Sequence, residues 1–238
     1  MSEPLDQTRG DTLPLINDAQ STSLSCNEVS ALCMKAARGA GMSWGLAEEA
    51  GFAAAWLVQR GFDGPEHLYR HLAQAQGRSW QDLCPTVKSG DWQAPAGRAI
   101  CPIALGATLC DYAALPEGVG VGCEIKIGPV DHPVLLLPFL VTCAETASLQ
   151  LTLSWDGGSA CLGRDRTALV EAFKALDGRQ ASLTLTAQFG TVAPAITSAA
   201  PQTDSDTITA LNAMAMRTTV PASEASRAGA GSTTTDND

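Results

Sequence analysis

KAARGAGMSWGLAEEAG, residues 35–51, is where two helical patterns meet across a Gly-Ala-Gly joint. Upstream, Val29, Leu32, Cys33, Ala36, Ala37 and Ala40 recur at spacings of three and four, one apolar face of a helix. Ser25 and Glu28 form an S-x-x-E capping box before it, each side chain satisfying a backbone donor. Downstream, Ser43 is placed to cap a second helix whose face is Ala47, Ala50, Gly51, Ala54 and Val58. Both faces are rich in Ala and Gly, so the two backbones can approach closely, and the stretch reads as a tight helical hairpin.

Pro65 opens a third helix at the first helical position, where a missing N–H costs nothing, and Leu68, Leu72 and Ala75 form its inner stripe. Residues 87–97 then read as a loop and a boundary. Beyond it, AICPIAL, GCEIKIGPV, VLLLPFLVT, LQLTLSW and ASLTLTA read as strands. LQLTLSW and ASLTLTA alternate, as half-buried strands do, whereas VLLLPFLVT is apolar throughout, as a strand covered on both faces would be. Asp156-Gly157-Gly158 marks a hairpin turn. Asp165 is positioned to cap a helix with Leu169, Val170, Phe173 and Leu176 facing inward. The expected class is α+β, a helical hairpin plus third helix followed by a mostly antiparallel β-rich half with one helix. The expected parts are a loose extension (1–22), a helical part (23–86), a β-rich part (99–190) and a Thr/Ser/Ala-rich tail (191–238).

The 238 residues carry a net charge of −10 and no Lys/Arg cluster, which excludes a sequence-independent nucleic-acid binder, since phosphate neutralisation needs a basic face. The start lacks the cationic and apolar regions of a secretory signal, and the run PVLLLPFLV is far short of the roughly 20 residues a membrane span needs. A cytoplasmic protein with no membrane partner is expected. The eight cysteines include no C-x-x-C pair, and without an export signal they are expected reduced. No metal site is expected, because clustered Cys/His spacing is missing.

Several motifs carry chemistry in principle. EGVGVG (117–122) resembles a phosphate loop, but a strand pattern follows it rather than a helix, which favours a simple turn. His67 and His71 sit at i, i+4 with no third ligand in view, which favours a polar shoulder on the third helix. Cys84 and Cys101 each precede a proline and would need a lowered pKa to act as nucleophiles. Asp131-His132 precedes an apolar run, where a carboxylate-backed imidazole can serve as a general base. At the joint, Arg38, Ser43 and Trp44 are the expected ligand-binding residues, and Glu48 and Glu49, with Asp131 and His132, the expected catalytic ones. Free amides at a helix start can hold a small carboxylate or polar metabolite.

The ordered segments NEV, KAARGAG, SWGLAEEAG and WL, within residues 23–61, resemble the bacterial domain of unknown function 3726 family. HPVLLLPF (132–139) and the C-terminal VPASEASRAGAG are similar to it as well, which implies that the tail folds back onto the domain or onto a partner. The resemblance implies no activity. A fainter likeness joins the helical hairpin to malate/lactate dehydrogenase-like reductases, but the rest of the chain lacks their pattern, so no cofactor is expected. Two functions stand open: binding or transforming a small polar metabolite in catabolism, or a non-catalytic subunit or scaffold. The second would dock a partner, or a second copy, through the Ala/Gly-rich helical face and the tail. Whether the protein is an enzyme stays open at this point.

Overall fold

A computed structural model describes residues 21–113, 115–162, 166–190 and 201–218. After a short strand β1 (Ser21–Thr22), helix α1 (Cys26–Gly39) opens on Ser25. The Ser25 hydroxyl accepts from the Glu28 amide at 3.3 Å, and the Glu28 carboxylate accepts from the Ser25 amide at 2.8 Å. Gly41, at φ 96°, makes the left-handed turn into α2 (Trp44–Gln59), whose first turn is capped by Ser43. The two helices pack with almost nothing between them: a Cβ added to Gly51 would lie 2.6 Å from the Ser30 carbonyl. Helix α3 (Gly64–Gln74) is capped by Asp63, with Pro65 in its first turn.

The remaining elements are β2 (Asp91–Trp92), α4 (Pro102–Asp111), β3 (Glu124–Val130), α5 (Leu137–Ala147), β4 (Leu149–Trp155), β5 (Gly158–Leu162), α6 (Arg166–Leu176), β6 (Ala181–Phe189), β7 (Thr203–Asp204) and α7 (Ser205–Ala215). The main sheet has the order β2-β3-β6-β4-β5, and every pair in it is antiparallel except β2–β3. Strands β4 and β5 form the expected hairpin, with Gly157 at φ 89° in its turn. Leu151, Leu153, Leu183 and Leu185 face the helices, while Thr152, Ser154, Ser182 and Thr184 face outward. The hydrophobic core runs without a break from Val29 of α1 to Met214 of α7, so helical and sheet halves share it. The class is α+β.

Two segments read as strands are helical. Residues 102–111 form α4, and 133–147 form a 3-10 turn continuing into α5. Pro102, Pro133 and Pro138 each stand in a first turn, where the ring is tolerated. Residues 133–141 are all buried, so the stretch shows no polar face until Thr142, Glu145 and Thr146 in the later turns of α5. The half expected to hold one helix therefore contains α4, α5 and α6. The cap expected at Asp165 lies outside the described residues, as do residues 1–20, 191–200 and 219–238.

Within the stretch assigned by composition to the tail, residues 203–215 form β7 and α7. Strand β7 pairs with β1, Ser21 opposite Asp204. Helix α7 lies on α1 so closely that a Cβ at Gly39 would run into the Met214 carbonyl. The Ala/Gly-rich surface of the hairpin is thus covered from within the chain.

Candidate functional site

Glu48, Glu49 and Phe52 extend from one side of α2, and Cys110 of α4 with Phe139 and Thr142 of α5 face them. Together they line an open groove of about 440 Å³. Its apolar wall is the edge-to-face pair Phe52–Phe139, with centroids 5.5 Å apart and planes at 66°. Gly106 is what lets Phe139 sit so close to α4, because a side chain there would overlap its ring.

The groove is acidic. Burial raises the Glu49 carboxyl above its ordinary value, and the nearby charges of Asp111 and Glu48 push it further in the same direction. Among the described residues no arginine, lysine or histidine pairs with Glu48 or Glu49. At the floor, the Cys110 and Cys143 sulfurs lie 2.9 Å apart.

The other joint residues are occupied in holding the turn. Arg38 donates to the Met42 carbonyl and stacks over Trp44, its guanidinium carbon 4.7 Å from the ring centroid. Ser43 accepts from the Leu46 amide at 3.3 Å. These three residues do not line the groove; of the joint's expected set, Glu48 and Glu49 do.

Asp131 and His132 belong to a separate cluster at the end of β3. The Asp131 carboxylate is 2% exposed and accepts from Gln180 at 2.7 Å and Gln74 at 3.2 Å, with the Arg78 guanidinium 3.7 Å away. Gln74 also faces the His132 Nε2 through Oε1, at 2.8 Å. Because Gln74 donates through its nitrogen to Asp131, His132 Nε2 must be the donor in this pair. His132 adopts the left-handed conformation, φ 44° and ψ 60°, and burial lowers its pKa. The cluster ties α3 to β3 and to the segment before β6, and its polar atoms are largely spent on one another.

His67 and His71 are not on a polar shoulder. Both are buried, His67 edge-on to Phe173 and His71 with Nε2 3.2 Å from the Cys101 sulfur. Burial holds His71 neutral, down to about 3, and pushes the Cys101 thiol up to about 12. Cys84 is also raised by burial and donates to the Trp80 carbonyl. Neither thiol is therefore poised as a nucleophile. No group of three or more His, Cys, Asp or Glu side chains arranged to hold a metal occurs among the described residues. The 117–122 turn leads into β3 rather than into a helix, which leaves it without the helix N-terminus a phosphate loop requires.

Sequence reasoning missed Phe52, one turn beyond Glu48 on α2, and also Cys110, Phe139 and Thr142, which meet the glutamates only because α4 and α5 are helices. The pairing of Cys110 with Cys143 had no spacing signal, since they lie on different elements 33 residues apart.

Residues 24–101 match the family described as protein of unknown function (DUF3726). The match takes in α1 to α3 and the joint, and ends at Cys101; Asp131, His132 and the C-terminal likeness lie beyond it. No curated protein and no solved structure matches the chain. No described helix is long and apolar enough to cross a membrane.

Proposed function

We propose that the protein binds a small polar metabolite bearing an amino group on an apolar body, in the groove between α2 and the α4–α5 pair. The observation that carries this reading is Glu49: a half-buried carboxylate with no cationic partner among the described residues, beside two aromatic rings. A carboxylate in such a place is more easily ionised when a cation is brought to it, and the Phe52–Phe139 wall favours an apolar group on the same ligand. The charge is opposite to that expected from the helix start alone, since Ser43 already occupies an amide there and Arg38 is engaged. We place the protein in the cytoplasm and its ligand in catabolism. The scaffold reading draws less support, because the Ala/Gly surface it would use is packed against α7.

The test is a thermal-shift titration with 2-phenylethylamine, with benzoate as the control. Stabilisation should grow as RT ln(1 + [L]/Kd), about 2.7 kcal/mol at a hundredfold excess. It should vanish in Glu49→Gln and survive in Arg38→Ala. Equal stabilisation by benzoate, or survival in Glu49→Gln, rules the reading out.

A further inference from the structure

We propose that Cys110 and Cys143 form a dithiol site that exchanges with small disulfides bearing amino groups, Cys110 attacking and Cys143 resolving. The two side chains reach each other across the α4–α5 packing, with sulfurs 2.9 Å apart and both thiols free. A disulfide needs about 2.05 Å, so closing the bond asks less than about 1 Å of motion between already touching atoms. The two thiols differ in access. Cys110 is partly exposed and lines the groove, while Cys143 is 7% exposed behind it. This is the division of labour of an attacking and a resolving thiol.

The electrostatics agree with that order. The hydrogen bond from Cys143 favours the Cys110 thiolate, although burial and the Glu49 and Asp111 charges work against it. Those same charges decide the substrate. A cationic disulfide entering the groove offsets the repulsion that Glu49 and Asp111 exert on a developing thiolate, whereas an anionic one adds to it. This choice of charge rests on the amine reading of the groove; the dithiol itself does not.

The exchange balances in two steps. The Cys110 thiolate attacks one sulfur of the disulfide R–S–S–R, forming a Cys110–S–S–R bond and releasing RS⁻. Cys143, its proton passed to solvent, then attacks Sγ of Cys110, forming the Cys110–Cys143 bond and releasing a second RS⁻. The protein is oxidised by two electrons and the small disulfide is reduced to two thiols. Reduction by an excess of small thiol runs the same steps backward.

Reduced full-length protein is to be incubated separately with cystamine, bis(2-hydroxyethyl) disulfide and glutathione disulfide at equal concentration, with thiol counting and peptide mapping. The expected result is loss of two of the eight thiols, mapped as Cys110–Cys143, fastest with cystamine and slowest with glutathione disulfide. Cys143→Ser should stop at a mixed disulfide on Cys110, and Cys110→Ser should abolish the reaction at Cys143. Cys143→Ala serves in its place if the serine hydroxyl disturbs the fold. Bonds among other cysteines, or reaction confined to exposed Cys123, overturn the site. Equal rates for the three reagents with the Cys110–Cys143 bond formed overturn the substrate class. The phenylethylamine titration judges the amine reading separately.

Discussion

His71 Nε2 and the Cys101 sulfur meet at 3.2 Å in a place closed to solvent, joining the last turns of α3 to the start of α4. The pair looks like the beginning of a thiol–imidazole catalytic couple, yet its environment forbids the ion pair such a couple needs. Burial disfavours the imidazolium and the thiolate alike, so the contact joins two neutral groups. The acidic groove, by contrast, is open. Burial alone separates the structural polar cluster from the functional candidate.

The neutrality of His71 makes stability depend on pH. Its native pKa is depressed to about 3 from 6.5, by burial first and then by His132 and Arg78. The unfolded chain therefore takes up a proton near pH 6.5 that the native state refuses. The contribution of His71 is complete above pH 6.5 and is lost as pH falls toward about 3, with a slope of at most about 1.4 kcal/mol per pH unit. Urea unfolding at pH 7, 5.5 and 4.5 should show a shallower decline in His71→Asn than in the wild type. Parallel declines would mean that the imidazole is reached by protons in the native state.

Asp131 is expected to act as a structural fastener. Asp131→Ala leaves the Gln180 and Gln74 amides and the Arg78 guanidinium without their shared acceptor, at a cost of about 1.5–3 kcal/mol. Denaturant unfolding measures this directly. A change within a few tenths of a kcal/mol would show that water replaces the carboxylate without penalty.

Glu49 should behave in the opposite sense. Its native pKa is raised above 4.5, so its contribution to stability is present below pH 4.5 and is lost as pH rises through the native value. Glu49→Gln should therefore unfold at higher temperature than the wild type at pH 7, with the gap closing near pH 4. A destabilised glutamine variant at neutral pH would indicate that the carboxylate has a partner in solution.

Two glycines on the same hairpin give contrasting outcomes. Gly39→Ala places a methyl group against the Met214 carbonyl and should cost on the order of 1–3 kcal/mol by prising α7 from α1. At Gly45, in the first turn of α2, an added Cβ meets nothing within 4 Å, so Gly45→Ala should gain up to about 1 kcal/mol in helix propensity. Equilibrium unfolding of the pair tests the docking of α7.

The hairpin was legible because its signals are local: the Ser25–Glu28 box, the Ser43 cap and the small-residue stripe all lie within a few residues of what they determine. Helices α4 and α5 were not. Their prolines carry the same first-turn signal as Pro65, but residues 101–106 and 133–141 are buried throughout, and the polar positions that would distinguish a helix from a doubly covered strand come only in the later turns. Helix α7 was hidden by its Thr- and Ala-rich composition, although Thr207, Leu211 and Met214 repeat at helical spacing and are buried. The groove shared this fate. Glu48 and Glu49 were visible as charges at a helix start, with Phe52 one turn on, whereas Phe139 and the Cys110 thiol become neighbours only once α4 and α5 are placed.

The seating of α7 on α1 has a consequence for the order of events on the ribosome. Helices α1 and α2 are made before α7, but the surface that covers Gly39 is supplied by residues 205–215. Until that helix emerges, Val29 and the alanines of α1 rely on incomplete cover, and the contact that completes it spans most of the chain. Such a closure is slow relative to local helix formation, and it leaves an apolar strip open during synthesis. The matched segment, residues 24–101, therefore borrows part of its lid from residues 205–215, more than a hundred positions further along the chain. A nascent chain stalled before residue 201 should accordingly be a better chaperone client, and a better protease substrate, than one stalled after α7 has cleared the exit tunnel.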